Sequence, residues 1–111
     1  MNTALSEKTN LALLSRMKEG GFDFSRVHPI EFYAVFTSEQ IARQAANRFQ
    51  GESLNAQVLE RQEGGWTLQV SKVMFATNTG IVDYEHSLRQ TLLPLGAVMD
   101  GWGVTQEAAA R

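Results

Sequence analysis

Apolar residues recur along this chain at two spacings, every third or fourth position in some stretches and every second position in others, and the alternation of the two predicts its elements. In residues 5–19, Leu11, Leu14 and Met17, joined by Leu13 one position off, fall at helical spacing, with Lys8, Asn10, Arg16 and Lys18 between them. That predicts an amphipathic helix. Ser6 stands as its N-cap, Glu7 sits at the positive end of the helix dipole, and Gly20-Gly21 provide a left-handed stop. Phe22 and Phe24 then flank Asp23 in a connector suited to pinning the helix to the element that follows.

Beyond His28-Pro29, residues 30–37 alternate strictly, with Ile30, Phe32, Ala34 and Phe36 opposed to Glu31, Tyr33, Val35 and Thr37. This is a strand whose wholly apolar set faces a core. A capping box from Thr37 to Gln40 opens a second helix, with Ile41, Ala42, Ala45 and Phe49 on one face and an end at Gln50-Gly51. Residues 54–60 alternate again, a polar turn at 61–65 reverses the chain, and residues 64–76 form its longest extended run. Inside that run Lys72 falls in phase with Leu68, Val70 and Met74, where an apolar residue is expected. Either a bulge near Ser71-Lys72 returns Val73 and Phe75 to the core, or the strand runs on and leaves both on an open face; a desolvated functional lysine is the third reading. Asn78 or Thr79 caps a third helix carrying Ile81, Tyr84, Leu88, Leu92 and Leu95, which Pro94 and Gly96 terminate. A last strand covers 97–104, and the polar, alanine-rich residues 105–111 are expected to fray.

After the first helix the order is strand, helix, strand, strand, helix, strand. The expected fold is therefore α+β and ferredoxin-like, βαββαβ, with the first and third strands central in a four-stranded antiparallel sheet that carries two helices on one face. A length of 111 residues with 43% apolar content fits one domain, 1–111, with a core at 30–104 and the helix at 5–19 as an addition. That addition has three places to go: a sheet edge, the open face or a neighbouring molecule.

The absence of cysteine removes disulfides, thiolate nucleophiles and cysteine-based metal sites. A formal charge of −2, with no basic run, gives no electrostatic footprint for nucleic acid. No stretch reaches membrane-spanning length, and the N-terminus lacks a signal-peptide pattern, so a soluble, cytoplasmic protein is expected. His28 and His86 belong to no ligand-spaced pair, the carboxylates show no acid/base pairing, and Gly64-Gly65 opens a strand rather than a phosphate loop. Neither an enzyme nor a cofactor is expected. Trp66 and Tyr33 raise base stacking, but the third strand lacks the aromatic RNA-binding pattern, which leaves packing. The least ordinary tetrapeptide is Asp100-Gly101-Trp102-Gly103, because a strand interior disfavours Asp and Gly. It is either a backbone notch with an indole beside it, built for a partner, or a β-bulge that lays Trp102 on the core.

That tetrapeptide, preceded by a long amphipathic helix and a Gly, resembles the end of the bacterial regulator of ribonuclease E activity B family. The resemblance runs back through Ser38-Glu39, Ile30-Glu31 and Gly20-Gly21-Phe22-Asp23, over about residues 5–104. It implies a ferredoxin-like protein that binds the endoribonuclease at its non-catalytic, Arg-rich region and lowers its activity without cutting RNA. Well-known members are strongly acidic and end in an acidic tail, whereas this chain is only −2 and ends in Arg111. For the contact surface, the acids Glu31, Glu60, Glu63, Asp83, Glu85 and Asp100 are the candidates, with Trp66 and Trp102 as aromatic anchors. The expected state is a monomer or weak homo-oligomer, with no direct nucleic acid and no membrane among its partners. The alternative is a ligand-sensing or self-associating module that uses an open sheet face carrying Tyr33, Val35, Val73 and Phe75.

Overall fold

Strands β1 (Val27–Phe36), β2 (Leu54–Glu60), β3 (Trp66–Phe75) and β4 (Val98–Val104) form one antiparallel sheet in the order β2-β3-β1-β4. This computed structural model describes residues 3–104, so the fraying expected at 105–111 lies outside the described residues. Three helices complete an α+β architecture: α1 (Thr3–Glu19), α2 (Glu39–Ala46) and α3 (Asn78–Leu92). The long strand β3 lies between β2 and β1, the central position its composition predicts.

The two-residue period of β1 decides which side is the core. Ile30, Phe32, Ala34 and Phe36 are all buried, and with Leu68 and Val70 of β3 they make the floor on which Ala42, Ala45 and Ala46 of α2 and Ile81, Leu88 and Leu92 of α3 pack. Each large side chain so buried contributes about 1.5–3 kcal/mol. The alanines of α2 let its backbone approach the sheet closely.

Helix α1 begins at Thr3, so Ser6 lies inside it and is not its N-cap. Its end is as expected: Gly21 has φ 89°, the Gly21 N–H donates to Lys18 O, and the Phe22 N–H donates to Met17 O. This double closure satisfies the last carbonyls and brings Phe22 back beside Met17. Phe22 stacks edge-on with Phe24 at 4.8 Å and lies 4.3 Å from the His28 ring, whose Nε2 is 2.9 Å from Asp23 O. Leu14 and Met17 pack against the core and α1 lies against α3, so the extra helix leaves the far face of the sheet open.

Two caps sit one residue earlier or later than periodicity suggests. Ser38, not Thr37, caps α2 by accepting from the Ile41 N–H at 3.2 Å, and Thr77, not Asn78 or Thr79, caps α3 by accepting from the Gly80 N–H at 3.0 Å. Ile41 is 36% exposed instead of buried, because α2 stops at Ala46 and presents its alanines to the sheet. Phe49, beyond the helix, is buried all the same. Pro94 falls in a 3₁₀ turn, Leu93–Leu95, that Gly96 closes in the left-handed region.

The β1–β3 register runs unbroken from Val27↔Phe75 to Phe36↔Trp66, so β3 carries no bulge at Ser71-Lys72. Lys72 stays in phase with Leu68 and Val70, on the helix side, and its Nζ lies 5.5 Å from the centroid of the Tyr84 ring. Val73 and Phe75 therefore remain on the open face.

Candidate functional site

The bulge is in β4. Phe32 pairs with Trp102 and Ala34 with Met99, which sets Asp100 and Gly101 together against the single residue Tyr33. Gly101 takes φ 93°, the left-handed geometry that absorbs the additional residue. Trp102 is thereby returned to the helix side beside Phe32, whose ring lies 5.0 Å from that of Tyr84, and it packs against the core. Of the two readings of the tetrapeptide, the bulge describes its geometry, with Asp100 and Gly101 left exposed at the sheet edge.

The helix-free face is organised in rows. At one end Val27 faces Phe75 and Pro29 faces Val73; at the other Leu59, Thr67, Val35 and Val98 span all four strands. Phe75 is 50% and Val98 66% exposed. Between the apolar ends lies a polar band that includes Asn55, Gln57, Gln69, Ser71, Glu31 and Tyr33. Glu31, flanked across the ladders by Ser71 and Gly103, is only 7% exposed even though the helices pack on the opposite side. Partial burial pushes the Tyr33 hydroxyl above its ordinary pKa, and the Glu31 charge adds to that effect.

The acids picked from sequence do not converge. Glu60 and Glu63 are exposed at the β2–β3 hairpin, where Glu63 pairs with Arg61 at 3.0 Å and its carboxyl is held below the ordinary range by its own backbone N–H and by Arg61. Asp83 is exposed on α3, and Glu85, half-buried on the same helix, is pushed up by burial against the opposing pull of Arg89. Asp100 sits on the β4 bulge and Glu31 in the polar band. Among these residues the fold joins Glu60 to Trp66, which are cross-strand partners, and Trp66 packs against the core rather than projecting from it.

One recess has no counterpart in the sequence pattern. Between α2 with its following turn and the outer strand β2, Arg43, Ala46, Asn47 and Gln50 face Ala56, Gln57 and Val58 across about 500 Å³. Arg43 Nε donates to Glu39 Oε2 at 2.8 Å, and Gln50 Nε2 donates to Ala46 O at 3.0 Å. Its residues are of mixed type and come from a helix with its following turn and from a separate strand, so no spacing announces it. On the open face only Leu59 was visible as a member of an alternation; Val27 precedes the alternating stretch from Ile30, and Val98 belongs to a last strand with no clear period.

Among the described residues no cluster of His, Asp and Glu could hold a metal ion, and no helix is long and apolar enough to cross a membrane. A comparison with curated proteins finds no match. The family model described as regulator of ribonuclease activity B matches residues 7–104, from within α1 to the last residue of β4. The chain belongs to the regulator of ribonuclease activity B family.

Proposed function

We propose that this protein is a non-catalytic regulator that binds ribonuclease E in the cytoplasm and lowers its cleavage of RNA by occupying a surface of the nuclease. The observation that carries this reading is the family match across residues 7–104. It is supported by a molecule whose conspicuous features are surfaces: a helix-free sheet face, two sheet edges and dispersed exposed acids. The fold is proposed to be ferredoxin-like, a reading supported by the central placement of β1 and β3. Of the sequence candidates, Glu60, Glu63, Asp83 and Asp100 are exposed and accessible to a partner, whereas Glu31, Glu85, Trp66 and Trp102 are partly or largely withdrawn. The partner is a protein rather than nucleic acid, in keeping with a net charge of −2.

Adding the purified protein to a ribonuclease E cleavage assay is expected to slow the loss of a labelled RNA, and the nuclease should be retained on the immobilised protein. Unchanged cleavage together with no retention would overturn the reading. A second reading, self-association or ligand sensing through the open face, is favoured by the exposed Val27, Leu59, Val73, Phe75 and Val98. Sedimentation across a hundredfold concentration range distinguishes it, since a constant monomer mass removes the self-associating form.

A further inference from the structure

The two edges of the sheet are unlike. On β4 the bulge at Asp100 and Gly101 breaks the register and an exposed carboxylate stands beside it, devices that prevent another strand from pairing. On β2 the register with β3 is unbroken from Leu54↔Lys72 to Glu60↔Trp66, and Leu54–Glu60 contains no Pro, Lys, Arg or bulge. The one charge on this edge, the exposed Glu60, stands at its hairpin end, so the stretch from Asn55 to Leu59 is unguarded.

Hydrogen-bond alternation shows which of its groups point outward. The Val73 N–H donates to Ser53 O at 2.9 Å, so Ser53 and, two by two, Asn55, Gln57 and Leu59 turn their backbone groups toward β3. Leu54, Ala56, Val58 and Glu60 turn theirs away. Leu54 is already used, since its carbonyl accepts from the Gly51 N–H at 2.7 Å. The N–H and C=O groups of Ala56 and Val58 thus point outward at the same two residues that line the recess beneath α2.

We infer that the β2 edge, with the recess lined by Arg43, Asn47, Gln50, Ala56 and Val58, is the site where an extended segment of the partner nuclease adds as a fifth strand. This rests on the function proposed above. Ala56 and Val58 supply the main-chain ladder. Arg43 has its Nε committed to Glu39 but keeps its terminal NH₂ groups for a carbonyl or carboxylate of the added strand, and Asn47 offers both a donor and an acceptor. Ala46 and Ala56 leave room for small or polar side chains.

The test uses the full chain and purified ribonuclease E. Replacing Ala56 and Val58 together by Pro removes two outward donors while leaving the β2–β3 ladder bonds in place, the one setting in which Pro is tolerated in a strand. Binding by calorimetry is expected to weaken at least about tenfold, with the circular dichroism spectrum unchanged. Because that variant risks unfolding, Arg43→Ala with Asn47→Ala, both on the surface of the recess, is measured alongside and is expected to weaken binding several-fold. Wild-type affinity in the Arg43/Asn47 variant, or in a folded Pro variant, overturns the inference and leaves the proposed function standing. A wild-type protein that does not bind the nuclease overturns both, and a wild-type dimer that the Pro variant converts to monomer assigns the edge to a second copy instead.

Discussion

Lys72 holds its ammonium 5.5 Å from the centre of the Tyr84 ring, joining the outer end of β3 to the first half of α3. The lysine interrupts an apolar series that resumes at Met74, and its neighbours across the two ladders are the fully buried Ile30 and the partly buried Leu54. Its stem covers apolar surface and its charge rests on an aromatic face, and burial pushes the Tyr84 hydroxyl above its ordinary pKa. In a double-mutant cycle of Lys72→Ala and Tyr84→Leu followed by urea unfolding, a coupling of about 0.5–1 kcal/mol is expected. A coupling of zero would mean that the two side chains are neighbours without interacting.

Removal of the Ser38 hydroxyl should cost about 1 kcal/mol, because its Oγ satisfies the Ile41 N–H at the start of α2. Thr37→Ala, one residue earlier, should change the urea midpoint little. Equal effects at the two positions would show that the helix starts earlier than Glu39 in solution.

This pair of residues also marks how far the sequence could be read. Strand positions were legible wherever one face is buried, since Ile30, Phe32, Ala34 and Phe36 can satisfy burial in only one register. The cap of α2 was legible to within a residue, because Thr37 and Ser38 are both competent and only backbone geometry chooses between them, whereas the start of α1 was not, Ser6 falling inside the helix. The bulge at Asp100 and Gly101 was legible because a strand tolerates that composition for few other reasons. The placement of Val73 and Phe75 was not, as it depends on an unbroken register with β1 that no local pattern fixes. The recess beside β2 was invisible, because it arises from the way α2 is laid along an outer strand.

At Gly101 the left-handed backbone, φ 93°, makes a side chain costly irrespective of space, and nothing lies within 4 Å of an added Cβ. Gly101→Ala should therefore lower stability by about 1–2 kcal/mol through backbone strain alone. Gly103→Ala, where there is equal room and no positive φ, should be nearly neutral. Thermal unfolding of the two variants separates conformation from packing as the reason for glycine in this tetrapeptide.

Glu85 provides a pH signature. Burial raises its carboxyl pKa in the folded protein, with Arg89 pulling the other way, so between the unfolded value of about 4.3 and the raised folded value the native state binds more protons than the unfolded one. Its contribution to stability thus falls as pH rises through that window and is least favourable at neutral pH. Glu85→Gln should unfold at higher temperature than the wild type at pH 7, and the difference should vanish below about pH 4. A difference independent of pH would locate the effect in packing instead.

The hairpin acids test whether charge guides the partner. Glu60 and Glu63 are exposed at the end of β2 that adjoins its free edge, and Glu63 is engaged by Arg61 at 3.0 Å. Reversing both to Lys turns a local formal charge of −1, from two acids and Arg61, into +3. An exposed rim of this kind governs encounter more than residence, so the association rate with ribonuclease E should fall several-fold while the dissociation rate changes little, and the loss should shrink as salt is raised. Surface plasmon resonance at two ionic strengths measures all three. If both rates are unchanged, the hairpin acids lie outside the contact, and the acidic surface must be sought at Asp83 or Asp100.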